Sequence, residues 1–227
     1  MYNIAVILAG GIGARVGGNI PKQLLPLADG RSVLEHAVNA FEQSPCIDEV
    51  CIVMHPDYIA YAEQMLLANA WQKVRQIIPG GKERWESSIN AIRLYQDKLE
   101  SAQFATANIL LHDAARPFVS QRIIADVCDA LETHEAVVVA IPSTDTVYEM
   151  QSGCVARIPN RSIIMRAQTP QAFRLPLIIK AYDIALNSEN MQVTDDCGVV
   201  FNYLPNQPIY IVLGEEQNKK ITFKEDI

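Results

Sequence analysis

Two kinds of apolar segment alternate along the first two thirds of this chain, and the alternation strongly limits the folds open to it. Short runs rich in β-branched residues occupy positions 4–8, 50–54, 74–78, 107–111 and 136–141. Longer segments with apolar residues at helical spacing, such as 33–41 and 84–98, lie between them. Runs of the first kind predict buried strands and the longer segments predict amphipathic helices. The sequence therefore predicts an α/β fold with a mostly parallel sheet and helices on both faces.

The alternation is interrupted once, by a predicted β-hairpin. Two short alternating runs, 145–150 and 154–158, are joined by Gln151-Ser152-Gly153, a glycine-containing turn signal. We expect an inserted arm at about 144–160 within a single domain spanning residues 1–227. Two strands alone are marginal in water, so the apolar residues of the arm need a surface to cover them. A second copy of the arm would supply that surface, which predicts a two-fold homodimer.

Composition excludes several classes of partner. The chain has 227 residues, 49% of them hydrophobic and 20% charged, with a formal net charge of −7. A net negative chain is a poor nucleic-acid binder, so local cations are better read as sites for small anions. No apolar run is long enough to span a membrane, and the N-terminus lacks the pattern of a signal peptide. The five cysteines are scattered without C-x-x-C spacing, which predicts free thiols and a cytoplasmic location.

The loop after the first predicted strand is the strongest candidate for a binding site. Gly10, Gly11 and Gly13 let the backbone turn tightly and bring its N–H groups close to an anion. Arg15 and Lys22 follow, and both side chains bind phosphate. The glycine spacing fits neither the dinucleotide fingerprint nor the P-loop. A plain glycine turn is the alternative, but such a turn does not call for two cations, so we predict a polyphosphate site.

Two further strand ends carry polar residues, and ligands of parallel sheets bind at the carboxyl ends of strands. Asp113 and Arg116 follow the fourth strand. A carboxylate near a phosphate loop is a suitable ligand for Mg²⁺, and Arg116 would bind a second anion. The alternative is that Asp113 and Arg116 form an ordinary ion pair at the surface. Gly80 and Gly81 end the third strand, and Ser87 lies on the next helix. These residues would hydrogen-bond the edge of a nucleotide base; the alternative is an ordinary helix N-terminus after a glycine turn.

Together these segments resemble a known family. The resemblance rests on Gly10-Gly11-x-Gly13-x-Arg15, Pro21-Lys22-Gln23, Gly80-Gly81-x-x-Arg84, His112-Asp113-Ala114-Ala115-Arg116-Pro117, Asp145-Thr146, Arg161, Gln168-Thr169-Pro170-Gln171 and Thr194-Asp195, in that order. The chain is similar over nearly its whole length to the 2-C-methyl-D-erythritol 4-phosphate cytidylyltransferases of non-mevalonate isoprenoid synthesis. The resemblance implies a Rossmann-like nucleotidyltransferase fold whose β-arm joins two subunits.

The same resemblance implies roles for particular residues. Ala9 and the glycine loop (Gly10, Gly11, Gly13) would bind CTP, and Arg15 and Lys22 would bind its triphosphate. The cytidine would be recognised by Gly80, Gly81 and Ser87. Asp113 would bind Mg²⁺. The acceptor phosphate would be bound by Arg116, Thr169 and Lys220, and by Thr146 and Arg161 from the arm of the partner. Arg15, Lys22, Arg161 and Lys220 would be catalytic. The acceptor phosphate would attack the α-phosphorus of CTP and release pyrophosphate.

Three readings of the function stay open at this point. The acceptor is 2-C-methyl-D-erythritol 4-phosphate in the first and ribitol 5-phosphate or another polyol phosphate in the second, as in the closely related ribitol-5-phosphate cytidylyltransferases. The segment 158–161 favours the ribitol enzymes and the segment 112–117 favours the methylerythritol enzymes. A third reading, a non-catalytic nucleotide-binding protein, conflicts with the presence of Lys22, Asp113, Arg161 and Lys220 together. Lys82 departs from the family pattern beside the predicted base-binding glycines.

Overall fold

A seven-stranded sheet forms the centre of the computed structural model, which describes residues 1–11, 21–191, 193–223 and 226. Its strands lie in the order β3-β2-β1-β4-β8-β5-β9. Strands β1 to β4 run parallel, as do β5 and β9, whereas β8 is antiparallel to both of its neighbours, β4 and β5. The strands are β1 (Tyr2–Ala9), β2 (Glu49–Met54), β3 (Val74–Pro79), β4 (Ala107–Asp113), β5 (Ala136–Pro142), β6 (Glu149–Gln151), β7 (Cys154–Arg157), β8 (Met165–Arg174) and β9 (Tyr210–Leu213). The predicted, mostly parallel sheet is confirmed.

Helices cover both faces of this sheet. They are α1 (Val33–Glu42), α2 (Ile59–Asn69), α3 (Arg84–Lys98), α4 (Ser101–Thr106), α5 (Gln121–Ala130), α6 (Leu175–Leu186) and α7 (Asp196–Tyr203). Alternate residues of β1 enter two separate cores: Ile7 packs with α1, α2 and α5, and Val6 packs with α3, α6 and α7. Alternation of this kind follows from the two-residue period of a strand, so β1 is buried on both sides. No helix of the described residues is long and apolar enough to cross a bilayer.

The spacing Ser32-x-x-Glu35 predicts a capping box at the start of a helix, and this box is present at α1. Ser32 Oγ accepts a hydrogen bond from the Glu35 N–H at 3.2 Å, and the Glu35 carboxylate accepts one from the Ser32 N–H at 2.7 Å. Before α7, the sequence predicts Thr194 as the N-cap, but this is wrong by one residue: Asp195 is the N-cap and accepts from the Gly198 N–H at 2.7 Å. Both side chains are good caps, so sequence alone does not choose between them.

Sequence patterning missed strand β8, as it also missed the short helix α4. Strand β8 contains Pro170 and few β-branched residues, a composition that argues against a central strand. It lies between β4 and β5 and is buried from Gln168 to Phe173. Its antiparallel direction brings its first half to the edge of the sheet where β4 ends, which makes Thr169 a neighbour of Asp113.

The predicted hairpin is present but shorter than expected. Strands β6 and β7 pair with each other in a sheet of their own. Ser152 and Gly153 connect them with φ angles of 51° and 81°, and two left-handed residues are what a tight two-residue hairpin turn requires. Both strands are exposed along their whole length, and Met150 is 72% exposed. The arm therefore leaves apolar surface uncovered within one chain.

Candidate active site

A cavity of about 600 Å³ opens at the carboxyl ends of β1 and β4, a size typical of small-molecule sites. Four cationic side chains and two carboxylates lie among the described residues that line it. The lining residues are Leu8, Ala9, Gly10, Gly11, Lys22, Gln23, Gly81, Lys82, Glu83, Arg84, Ser87, Asp113, Ala114, Ala115, Lys220 and Thr222. An excess of cations inside a chain of net charge −7 makes this cavity a site for anions.

Two glycines let the ends of β1 and β3 meet at this cavity. A Cβ atom on Gly10 would lie 2.8 Å from Ser87 Oγ, and one on Gly80 would lie 2.9 Å from the same atom. Real Cβ atoms do not approach so closely. A Cβ atom on Gly80 would also lie 3.0 Å from Gly10 Cα, so a side chain here would push the two loops apart. The buried Ser87 Oγ accepts a hydrogen bond from the Gly81 N–H at 3.1 Å. The structure thus brings the predicted phosphate-binding and base-binding glycines together.

Gln23 shapes the first loop, although sequence reasoning assigned it no role. Its buried side-chain amide donates to the carbonyl oxygens of Ala9 and Gly11, each at 2.7 Å. Lys22 begins a short 3₁₀ turn beside it and donates from Nζ to the Ile221 carbonyl at 2.7 Å. Gln23 therefore ties the backbone around Lys22 to the glycine loop. The only signal in the sequence was its place in the Pro-Lys-Gln element.

Asp113 is the centre of the charge network in the cavity. Its Oδ1 accepts from Arg84 Nε at 2.9 Å, and its Oδ2 accepts from Lys220 Nζ at 2.7 Å. Burial alone would raise the pKa of Asp113, but the charges of Arg84 and Lys220 outweigh burial and hold the pKa well below its usual range. Asp113 is therefore ionised throughout the physiological pH range.

Arg84 joins this network to a second buried carboxylate. Its Nη1 donates to Asp196 Oδ2 at 2.5 Å, while Tyr182 donates its hydroxyl to Asp196 Oδ1 at 2.7 Å. Burial disfavours the charged guanidinium, but Asp196 and Asp113 outweigh that cost and raise the pKa of Arg84 above its usual value. Asp196 lies 112 positions along the chain from Arg84, a separation that no local pattern reveals.

Asp113 is a suitable ligand for a magnesium ion bound together with phosphate groups. Mg²⁺ in such sites takes one or two carboxylates and completes its shell with phosphate oxygens and water. The carboxylate of Asp113 is ionised and lines the cavity. The described residues contain no cluster of three or more His, Cys, Asp or Glu side chains that would bind a metal without the substrate. A metal here would share Asp113 with Arg84 or take the place of Lys220.

Thr169 supports Asp113 from behind. Its Oγ1 accepts from the Asp113 N–H at 3.1 Å and hydrogen-bonds His112 Nδ1 at 3.0 Å. His112 Nε2 pairs with the carbonyl oxygen of Arg116 at 3.0 Å, so the ring carries its proton on Nε2 and accepts from Thr169. Burial lowers the pKa of His112 to about 4, which keeps the ring neutral. The Thr169 hydroxyl is buried in these contacts, and its binding to the acceptor stays a prediction.

The C-terminal segment closes the other side of the cavity. The Ile221 N–H donates to the Ala115 carbonyl at 2.8 Å, which positions Lys220 beside Asp113. The buried side-chain amide of Asn218 donates to the Thr169 carbonyl at 2.8 Å, and the backbone carbonyl of Asn218 accepts from Arg116 Nη1 at 2.7 Å. Sequence reasoning gave Asn218 no role, because only the fold brings this segment next to β4 and β8.

Some predicted site residues lie outside this cavity. Arg116 does not line it and points to the carbonyls of Asn218 and Ala167. Thr146 and Arg161 are exposed near the arm, with Arg161 Nη1 donating to the Thr144 carbonyl at 3.0 Å. A single chain therefore does not bring these two residues to its own cavity. The predicted Gly13 and Arg15 lie outside the described residues.

Known proteins share both the sequence and the architecture of this chain. A family model described as 2-C-methyl-D-erythritol 4-phosphate cytidylyltransferase matches residues 3–227. A protein of that name from Thermobifida fusca is 44% identical over 98% of this chain and 89% of its own length. The bifunctional ribulose 5-phosphate reductase/CDP-ribitol pyrophosphorylase of Haemophilus influenzae is 37% identical over 99% of this chain and 46% of its own length.

Solved structures agree. The 4-diphosphocytidyl-2C-methyl-D-erythritol synthase of Anaerococcus prevotii superposes with a TM-score of 0.84 at 29% identity, over 99% of this chain and 92% of that one. The 2-C-methyl-D-erythritol 4-phosphate cytidylyltransferase of Francisella tularensis superposes with a TM-score of 0.80 at 28% identity, over 100% of this chain and 96% of that one. The Rossmann-like architecture predicted from the sequence is confirmed.

Proposed function

We propose that this chain, which belongs to the 2-C-methyl-D-erythritol 4-phosphate cytidylyltransferase family, transfers CMP from CTP to 2-C-methyl-D-erythritol 4-phosphate and releases pyrophosphate. The observation that carries the proposal is the cation-rich cavity at the carboxyl ends of β1 and β4. It is lined by the same glycine, lysine and aspartate elements that the resemblance identified. An anion such as a nucleoside triphosphate suits its charge and its size.

The reaction needs little covalent chemistry from the protein. An acceptor phosphate oxygen attacks the α-phosphorus, and the bond from that phosphorus to the pyrophosphate oxygen breaks. The attacking oxygen is already ionised at neutral pH, so no general base is required. Lys22, Lys220 and Arg15 would stabilise charge that develops on the α-phosphate, and preorganised cations of this kind lower barriers without reorganising in the transition state. Lys220 already lies at the cavity wall, 2.7 Å from Asp113.

Binding of the base and the metal completes the proposal. Gly80, Gly81 and Ser87 would contact the cytosine, and Ala9, Gly10, Gly11 and Gly13 the phosphates. Asp113 would hold Mg²⁺, which when bound neutralises triphosphate charge and orients the leaving group.

The acceptor would bind beside the nucleotide. Its phosphate would be contacted by Thr169, Arg116 and Lys220.

The cellular location of the protein would be the cytoplasm, since all five cysteines are free thiols.

Ribitol 5-phosphate is the second candidate acceptor, and the observation that favours it is the 37% identity to a CDP-ribitol pyrophosphorylase. Pyrophosphate release from CTP, measured with each acceptor in turn, separates the two. We expect the larger kcat/KM with 2-C-methyl-D-erythritol 4-phosphate and a product with the mass of the corresponding CDP-alcohol. A larger kcat/KM with ribitol 5-phosphate would assign the second function, and CTP binding without release from either would assign a non-catalytic role.

We further propose that two chains form a dimer through the arm and complete each other's sites. Exposed apolar residues of the arm, including Val147, Tyr148, Met150 and Val155, need a covering surface. Arg161 lies beside that arm, donates to the Thr144 carbonyl and does not line the cavity of its own chain. A two-fold partner would bring its own Arg161 to each cavity.

Mixing two inactive variants tests this assembly. Arg161→Ala and Lys22→Ala chains should each be nearly inactive as homodimers. A mixed dimer has one site with both residues intact, so random exchange should restore roughly a quarter of the wild-type activity. No recovery, when subunit exchange is verified by native mass spectrometry, would mean that Arg161 acts in its own chain or has no catalytic role.

A further inference from the structure

Two cysteines from distant parts of the sequence lie next to each other on the face of the sheet covered by α1 and α5. Cys46 lies in the turn between α1 and β2, and Cys128 lies on α5, 82 positions further along. Cys128 Sγ is also 3.9 Å from the Cys46 carbonyl oxygen, and Cys46 Sγ is 3.8 Å from the Ile124 carbonyl oxygen one turn earlier on α5. The two thiols therefore form a pair that the fold assembles.

The two members of the pair differ in reactivity. The hydrogen bond from the Cys128 thiol lowers the pKa of Cys46 to about 6, and the Ser44 hydroxyl, 3.2 Å from Cys46 Sγ, lowers it further. Burial opposes this effect, as does the carboxylate of Asp129 to a smaller extent. The same thiol–thiol hydrogen bond, together with burial, raises the pKa of Cys128 well above its usual range. Cys46 is partly exposed and Cys128 is buried, so Cys46 is the thiolate that a small oxidant can reach.

We propose that Cys46 and Cys128 are a peroxide-responsive thiol pair that oxidises to an intramolecular disulfide. The Cys46 thiolate attacks hydrogen peroxide, breaks its O–O bond and becomes a sulfenic acid with release of hydroxide. The Cys128 sulfur then attacks the Cys46 sulfur, and the sulfenic oxygen leaves as water with the Cys128 proton. Peroxide is reduced by two electrons, and the two thiols are oxidised by two.

The positions of the two residues allow this bond to form. A disulfide has an S–S bond of about 2.05 Å, so the two sulfur atoms must move together from their present positions, where each lies within 4 Å of a backbone carbonyl of the other segment. Cys46 lies in a turn rather than in a helix or strand, so its side chain can change rotamer without breaking a strand or helix hydrogen bond, while Asn3 Nδ2 holds its carbonyl at 2.8 Å. Both residues precede strands, β2 and β5, and thus lie at the edge of the sheet opposite the candidate active site. Cross-linking would join two segments far apart in sequence and stabilise the fold without touching the cavity.

Peptide mass spectrometry of the intact, oxidised protein tests the proposal. The reduced full chain is treated with a few equivalents of hydrogen peroxide, free thiols are alkylated, and the protein is digested without reductant. We expect one cross-linked peptide pair containing Cys46 and Cys128, with the mass of two hydrogens lost. We also expect the thermal unfolding midpoint to rise by about 5 °C or more and to fall back on reduction.

The other cysteines provide internal controls. Burial raises the pKa of Cys51 to about 12 and also raises that of Cys197, so both should remain free thiols at this peroxide dose. Cys154 is exposed on the arm, and a Cys154→Ser background removes intermolecular coupling through it. In Cys128→Ser, the sulfenic acid of Cys46 should persist and be trapped by a cyclic 1,3-dione.

Two results would overturn the proposal without relying on any variant. In the wild-type chain, recovery of Cys46 and Cys128 as alkylated thiols under these conditions would refute it. Cross-links that involve only Cys154 would do so as well.

Discussion

The most informative single substitution is Arg84→Met, because Arg84 forms ion pairs with two carboxylates, Asp113 and Asp196, that have few other cations beside them. Methionine keeps much of the length and apolar volume of arginine but removes its charge and donors. After the change, Lys220 still pairs with Asp113, at 2.7 Å, but among the described residues Asp196 keeps only the hydroxyl of Tyr182 as a hydrogen-bond donor to its carboxylate. Asp196 is fully buried, so it becomes a buried charge without a cation.

The expected cost follows from that geometry. Breaking a buried ion pair by removing one partner costs about 3–5 kcal/mol. Since Asp113 keeps Lys220 and Arg84 is itself 27% exposed, the lower end of this range applies, about 3 kcal/mol. For a chain of this size, that loss lowers the thermal unfolding midpoint by roughly 6–12 °C.

Arg93→Met is the matched control. Arg93 lies on the same helix, α3, and pairs with Asp183 on α6, but the two side chains are 38% and 50% exposed. Exposed pairs contribute about 0–1 kcal/mol, so this variant should unfold close to the wild type in urea. Adding Asp196→Asn to Arg84→Met should recover at least about 1 kcal/mol, because the unpaired charge is gone. Equal losses for the two arginine variants, with no recovery in the double variant, would refute the reasoning.

Three further changes test the site. Lys22→Ala should lower kcat by roughly two to three orders of magnitude, the usual effect of losing one preorganised donor. Lys82 also lines the cavity, and Lys82→Ala should lower kcat far less. Steady-state kinetics with CTP compares the two variants. Activity should require Mg²⁺, and Asp113→Asn should raise the Mg²⁺ concentration for half-maximal rate at least about tenfold. Full activity in excess chelator would show that Asp113 does not act as a Mg²⁺ ligand in the reaction. Because the pKa of His112 falls from 6.5 to about 4 on folding, the unfolded chain binds a proton first as pH drops. Stability should therefore decline by about 3 kcal/mol between those pH values, and His112→Gln should flatten this slope in urea titrations at each pH.

Local patterns were sufficient for most of the secondary structure. The hydrophobic period marked β1 and α3, the Ser32–Glu35 box marked the start of α1, and a glycine turn marked the hairpin. These features depend on residues within a few positions of one another, which is why sequence reveals them. β8 escaped because its place between β4 and β5 comes from tertiary pairing and contradicts its own composition.

The sequence by itself also determined which residue types could bind a polyphosphate: closely spaced glycines after a strand, a following lysine, and an aspartate at another strand end. Only the tertiary structure decided how they act together. Asp113 owes its low pKa to Arg84 and Lys220, and Lys220 comes from a segment 107 positions away. The contact of Cys46 with Cys128 has the same origin. Such contacts carry no local signature, because they exist only after the chain has paid the entropy of bringing distant segments together.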